Sequence, residues 1–378
     1  MQLPNRKMRY SLVWTLVCTF ATTSLANETP ADSWPLFRGN SLSTGVASSS
    51  LPAQPELLWT YQVDNGAFDG TPAIVDGVVY IGDLDGTLFA LKLASGELIW
   101  KYKAEIGFPS SAAVKDGLVV IGDYDGMMHC VDAATGEKKW TFESQAEISS
   151  GANFIEDHVL FGSQDATLYC LKLATGEKVW DRHLEDQIRC LPTIVEGRCF
   201  VAGCDGYFHI IDVKSGDELS KVEIMAPTGV TPAVAGKRVF FGTENGDIFG
   251  VDWSEGKTVW TYADDRRSQS VRSSPAVTND IVVIGSRSKK VYAFSPTDGK
   301  LRWQFETKRS VDSSPVIVGN RAFVGVTDGR LYALDLNSGK AVWEYETNGG
   351  FVGSPGVASQ RLVIANDKGT VFCFGEKK

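Results

Sequence analysis

The sequence is poor in the residues that most often carry chemistry. Its 378 residues hold only four histidines, and His158 and His183 stand alone at no metal-site spacing. Gly256-Lys257-Thr258 resembles the end of a phosphate loop, but the glycine required five places earlier is Val251, so the tripeptide reads as a turn. Past residue 26 no apolar run approaches the ~20 residues that span a bilayer. Basic residues are the minority, 37 Lys and Arg against 46 Asp and Glu, for a net charge of -9. That balance argues against a nucleic-acid backbone or an anionic lipid surface as partner. With 43% hydrophobic residues, 38 Gly and 14 Pro, disorder and collagen are excluded and a folded protein is expected.

The exception to the missing apolar runs is the first segment. Arg6, Lys7 and Arg9 precede an apolar stretch from Tyr10 to Phe20, and Leu25-Ala26 closes a small-residue end. A basic start, short apolar middle and small-x-small end predict a secretory signal over 1–26, cut after Ala26. Without its three positive charges the net charge becomes -9 - 3 = -12. Val17 before Cys18 is the wrong neighbour for lipoprotein cleavage. An exported protein is expected. Six cysteines then remain. Cys130, Cys170 and Cys373 share a repeat position that holds Ala90, Ala293 or Ala333 elsewhere, which predicts small buried side chains. Cys190, Cys199 and Cys204 cluster, and an oxidising compartment permits one bridge among them with the pair left open.

What the chain has in abundance is repetition. Trp59, Trp100, Trp140, Trp180, Ser220, Trp260, Trp303 and Trp343 recur at intervals of 40 to 43 residues. Around them recur a Ser/Thr-Pro, an apolar run ending in Gly, an Asp-Gly or Asn-Gly, a second apolar run and a Ser/Thr-Gly turn. Asp85-Gly86, Asp125-Gly126, Asp205-Gly206, Asn245-Gly246 and Asp328-Gly329 supply the positive φ of tight hairpins, so each unit reads as a four-stranded antiparallel meander. Leu88-Phe89-Ala90-Leu91 and Leu331-Tyr332-Ala333-Leu334 are apolar on both faces, which a sheet sandwiched between neighbours requires. The fold predicted is all-β, an eight-bladed β-propeller over 55–378 with indoles sealing the outer seams and a lead segment over 27–54. Ser220 predicts a looser contact at blade four. The last unit lacks a Trp segment, whereas Pro55–Val63 is a fourth strand without its first three, so the N-terminal strand is expected to complete the last blade.

Leu93–Trp100, Asp132–Trp140 and Asp335–Trp343 resemble the tryptophan-docking repeat of the pyrroloquinoline quinone (PQQ)-like propellers, and in size and layout the chain is similar to the BamB-like outer-membrane assembly factors. Trp34-Pro35-Leu36-Phe37-Arg38-Gly39-Asn40 resembles a leader before some exported members, with packing against the ring as its expected role. The resemblance implies a non-catalytic scaffold that binds protein or peptide partners in outer-membrane assembly, in the periplasm or envelope of a Gram-negative-type cell. Its other branch implies a small PQQ-dependent quinoprotein dehydrogenase, whose vicinal cysteines and Cys-x-x-Cys-His are missing here. BamB-like proteins are normally lipid-anchored, and the context of Cys18 departs from that pattern.

No catalytic residue, metal ligand or cofactor motif stands out, so neither PQQ nor calcium is expected. His129 and His209 replace aromatics of other repeats and read as buried substitutes. Asp83 and Asp85, with Asp123 and Asp125, pair acids on adjacent blades, but turn chemistry accounts for Asp85 and Asp125. Strand direction places the links between blades around a funnel. Asp69, Arg189, Arg272 and Asp312, one or two places before the Ser/Thr-Pro position, are its charged candidates. The link after blade five is longer, 15 residues from Trp260 to Pro275 against 12 from Trp303 to Pro315, and adds Arg266 and Arg267. An inserted basic loop on a regular scaffold marks a candidate partner contact.

Overall fold

The computed structural model describes residues 30–263 and 269–377. The signal segment over 1–26, Arg266 and Arg267 lie outside the described residues. Eight sheets follow one another along the chain, each a four-stranded antiparallel meander. Blade one is representative, with strands Ala73–Val75, Val78–Gly82, Thr87–Lys92 and Leu98–Lys103 from the axis outward. Its third strand is buried on both faces, as the unalternated sequence requires, with Leu88, Ala90 and Leu91 fully enclosed. Blade eight is completed across the termini: Glu56–Gln62 pairs antiparallel with Thr370–Gly375, from Glu56 opposite Gly375 to Gln62 opposite Thr370. The third strand of blade eight is therefore left with no unpaired outer edge.

The outer seams are sealed by the periodic indoles. Trp100 of blade one donates Nε1–H to the Ala133 carbonyl of blade two at 3.0 Å, and Trp59, Trp140, Trp180, Trp260 and Trp303 make the equivalent bond at 2.7–3.1 Å. Each of these rings lies on a turn glycine of the next blade; a Cβ at Gly136 would come 2.6 Å from Trp100. Trp343 instead meets Phe374 edge-on at 5.6 Å.

Blade four corrects the expectation of a loose seam. Ser220 leaves Gly256 of blade five with nothing within 4 Å of its added Cβ. The seam is filled from the other side, because Trp253 stands at the acceptor position where other blades hold Leu93 or Ala133. Its ring packs 5.7 Å from Phe200 of blade four, Arg198 lies 5.4 Å over it, and only 7% of it is exposed. The indole has changed blades without leaving the seam.

The lead segment does more than pack against the ring. The innermost strands surround the axis with free edges, and the lead passes by them in turn. The amides of Ile74, Val114, Ile194, Val234, Val277 and Ile317 donate to carbonyls of Trp34, Pro35, Ser41, Leu42, Thr44 and Gly45. Val46–Ala47 adds a short parallel strand to blade seven. At blade three the Asn153 side chain substitutes, its Nδ2 donating to Ser41 O at 3.1 Å while its Oδ1 accepts from Phe154 N. Ser359 and Gln360 of blade eight reach Ala31 O and Ser49 Oγ. Buried edge amides must find acceptors, and this strap supplies them. Gly39, at φ 86, lies against the Trp34 ring, where a Cβ would sit 2.7 Å away; at Gly45 it would collide with the Arg38 guanidinium.

Candidate functional site

At one mouth of the axis the strap lies across the inner strands, beside a cavity of about 880 Å³ lined by Ser41, Leu42 and Thr44 and by turns of blades two to six; the other opens as a funnel of about 240 Å³. Two rings of residues make its wall, and both come from the first turn of chain entering each blade. The lower ring is a circle of hydroxyls. Thr71 N–H donates to Ser111 Oγ at 2.9 Å, Thr231 to Ser274, Ser274 to Ser314, Ser314 to Ser354, and Ser354 back to Thr71 Oγ1 at 3.1 Å. Each hydroxyl so used as an acceptor keeps its own proton for another partner. The circle is interrupted by Gly151 and Leu191, and Phe37 of the lead fills that place, its Cβ 3.4 Å from a Cβ built on Gly151.

The upper ring lies two residues earlier in each blade. Asp69, Arg189, Arg272 and Asp312 all line the funnel, so the structure brings these four sequence candidates together. Their electrostatics differ. Arg287 grips Asp312 through Nε and Nη2, at 2.9 and 2.8 Å. Arg272 meets Glu244 at 3.5 Å through Nε. Among the described residues Arg189 hydrogen-bonds Gln187, at 2.9 and 2.5 Å. Across the funnel, burial and the nearby charge of Asp367 push the Asp69 carboxyl up. Burial likewise raises Glu147, although the nearby charge of Arg189 opposes that shift. Arg189, Arg272 and Arg287 thus stand together at blades four to six, with Asp69 at blade one.

Arg287 escaped the sequence reading. It stands in the turn between second and third strands, where other blades carry Leu84, Tyr124 or Asp367, and its amide bonds Ser270 O at 3.1 Å. That turn shares the funnel face with the blade links, so a charged residue two places after the strand-ending Gly285 was the available signal. The hydroxyl circle was visible only as the Ser/Thr-Pro marker.

The remaining polar candidates are occupied with structure. Asp83 Oδ1 accepts from Asp85 N and Thr87 N, and Asp123 Oδ1 from Asp125 N and Met127 N. His129 bridges Tyr102 and Asp123 at 2.9 Å each. His209, 2% exposed, lies between Asp205 and Glu218, both at 2.9 Å. Burial pulls the His209 pKa down, but its two carboxylate hydrogen bonds outweigh that and hold it above the ordinary value. Lys257–Tyr262 is an outer strand, so the phosphate-loop resemblance ends there. The permitted bridge does not form, since Cys190, Cys199 and Cys204 carry free thiols. Burial pushes the Cys190 thiol up to about 12. Among the described residues no group of three metal-ligating side chains converges, and no helix is long and apolar enough to cross a membrane.

Comparison with known proteins bears on the same architecture. A family model described as "Outer membrane protein assembly factor BamB" matches residues 45–189, 164–310 and 287–377. BamB from Moraxella catarrhalis superposes with a TM-score of 0.74 at 21% identity, covering 85% of this chain and 98% of that one. Quinohemoprotein alcohol dehydrogenase from Comamonas testosteroni superposes with a TM-score of 0.77 at 15% identity, covering 93% and 82%. At such identities these likenesses show the fold. Quinoprotein alcohol dehydrogenase PedH of Pseudomonas putida is 25% identical over 114 residues, which is 26% of this chain and 19% of that relative.

Proposed function

Because the chain belongs to the family of the outer membrane protein assembly factor BamB, we propose that it is a non-catalytic scaffold of the cell envelope whose funnel face binds protein or peptide partners during outer-membrane protein assembly. The observation that carries this reading is the shape and charge of the funnel. At about 240 Å³ it is smaller than the ~300–1,000 Å³ of pockets that engulf a cofactor-sized ligand, and Phe37 takes up part of its floor. Four of its eight rim positions, Asp69, Arg189, Arg272 and Asp312, carry charged side chains on links between blades, a surface suited to contact rather than enclosure. Partners of extended or unfolded character are expected, engaging the rim or the outer sheet edges by strand addition.

The dehydrogenase reading has the likeness to the two alcohol dehydrogenases in its favour. The residues present fit a bound quinone poorly. The space above Phe37 is small, and of the carboxylates lining it Asp312 already gives both oxygens to Arg287. No step through a quinone is derived.

The test is capture of partners from an envelope fraction. The purified protein should retain outer-membrane assembly components, and replacing Arg266, Arg267 and Arg272 together with Glu should abolish retention. Unchanged capture by the triple variant would remove this face from the proposal. Dye-linked alcohol oxidation on adding PQQ and calcium would replace the scaffold reading with the enzymatic one.

A further inference from the structure

The upper ring of the funnel has one gap. Only Gly229 contributes no side chain there, and even a Cβ would come 3.0 Å from the Cβ of Arg189. Arg189 and Arg272 flank the gap, and a side cavity of about 180 Å³ opens between them over Val230 and Val271. The two guanidinium groups are underused. Among the described residues Arg189 hydrogen-bonds Gln187 and lies near Glu147, and Arg272 has one long contact with Glu244. Arg287 takes both oxygens of Asp312, so that carboxylate does not quench its neighbours.

The floor beneath the gap is a pair of donors. Thr231 Oγ1 accepts the Leu191 N–H at 3.0 Å and Ser274 Oγ accepts the Thr231 N–H at 3.1 Å. Neither hydroxyl donates to a protein acceptor among the described residues. One residue below Ser274, the Pro275 carbonyl accepts from Arg38 Nη2 at 3.0 Å. Arg38 is 1% exposed, no carboxylate contacts it, and its Nε and Nη1 have no hydrogen-bond partner among the described residues. A buried guanidinium without a counter-charge biases its surroundings toward anions. The arithmetic of the corner is Arg189, Arg272, Arg287 and Arg38 against Glu244, which lines the side cavity, Asp312, and Glu147, whose carboxyl feels the charge of Arg189.

We infer that the notch over Gly229 is an oxyanion subsite, holding a carboxylate or phosphate group between the guanidinium groups of Arg189 and Arg272 with the hydroxyls of Thr231 and Ser274 below. Such a group requires planar guanidinium forks and hydroxyl donors, and here Arg189 and Arg272 border both the side cavity and the funnel whose lining includes Thr231 and Ser274. The inference deepens the reading of the funnel as the partner face and rests on it for the source of the anion. A chain terminus or acidic side chain of a partner is one source, and a free anion is the other.

The test uses inorganic phosphate and a peptide pair differing only in a free or amidated C-terminal carboxylate. Binding is read by thermal stabilisation and by phosphorus line width, at ionic strength matched with chloride. The intact protein should bind phosphate and the free-carboxylate peptide. Arg189→Gln with Arg272→Gln should weaken both by roughly 100-fold, about tenfold for each charge-assisted contact. Gly229→Val, which retains both arginines but crowds the Arg189 side chain and the notch, should do the same, while the distant Arg302→Gln should leave binding unchanged. Circular dichroism and melting confirm that each variant is folded. Phosphate binding without preference between the peptides supports the subsite and assigns it to a free anion. Phosphate binding with failed capture of envelope partners keeps the subsite and overturns the scaffold reading. A response no larger than that to chloride, or a double-arginine variant that binds like the parent, overturns the inference.

Discussion

The two mouths of the central channel are built from the same eight repeats and finished in opposite ways. At one, the lead segment lends its carbonyls to the inner strands of blade after blade, and Trp34 and Arg38 are buried with it. At the other, the hydroxyl circle binds blade to blade but keeps its protons, and Arg189 and Arg272 stand nearly unopposed. A repeated scaffold is neutral about function until something unrepeated is added. Here the additions are a strap that pairs the inner strands at the base and a set of charges on the rim. The strapped end is tied by backbone hydrogen bonds, and the other presents the charges.

Mutations can break this contrast. The largest effect should come from removing the ring that both ends depend on. Deleting residues 55–63 takes away the strand that closes blade eight and should lower the melting temperature by on the order of 10 °C or more; a deletion that melts like the parent would refute closure. Next comes the base alone. Trp34→Ala empties a fully buried site in the strap and should cost about 3–5 kcal/mol in denaturant unfolding, with partner capture by the folded fraction retained. A smaller effect should appear in the wall between the two mouths. The folded-state pKa of His209 is raised, so its contribution is fully present below the unfolded value of about 6.5 and is lost as pH rises through the folded value. Melting of the parent should therefore fall as pH rises through that window. His209→Phe, which installs the aromatic of other repeats, should remove that slope. The smallest effect on stability belongs to the rim. Arg189→Gln with Arg272→Gln should shift unfolding by no more than about 0.5 kcal/mol, although it should remove anion binding. A large stability loss there would mean that the rim arginines hold the ring together and would erase the contrast.

Most of the ring could be read from the sequence because its information is periodic. The Trp interval, the Asp-Gly turns and the orphan fourth strand at Pro55–Val63 specified blade number and closure. Asp69, Arg189, Arg272 and Asp312 were placed on the funnel because each stands at a fixed offset from the Ser/Thr-Pro position of its own repeat. What escaped was aperiodic. The path of the lead depends on main-chain carbonyls that any sequence possesses, meeting strands as far as blade eight. Trp253 lies outside the expected slot, so the filling of the seam at Ser220 was invisible in a search by period. Arg287 interrupts the Asp-Gly pattern, and its grip on Asp312 joins the turn of one blade to the entry of the next. Repeats announce themselves, whereas the residues that individualise them must be found in space.

Hydrogen exchange of the protein alone and with a partner captured from the envelope tests the central claim most directly. The account predicts new protection in the blade links of the funnel face, above all around Arg189, Gly229 and Arg272, with no change in the base turns near Glu156, Glu196 and Asn279. Protection confined to those base turns, with the funnel links exchanging as in the free protein, would contradict it.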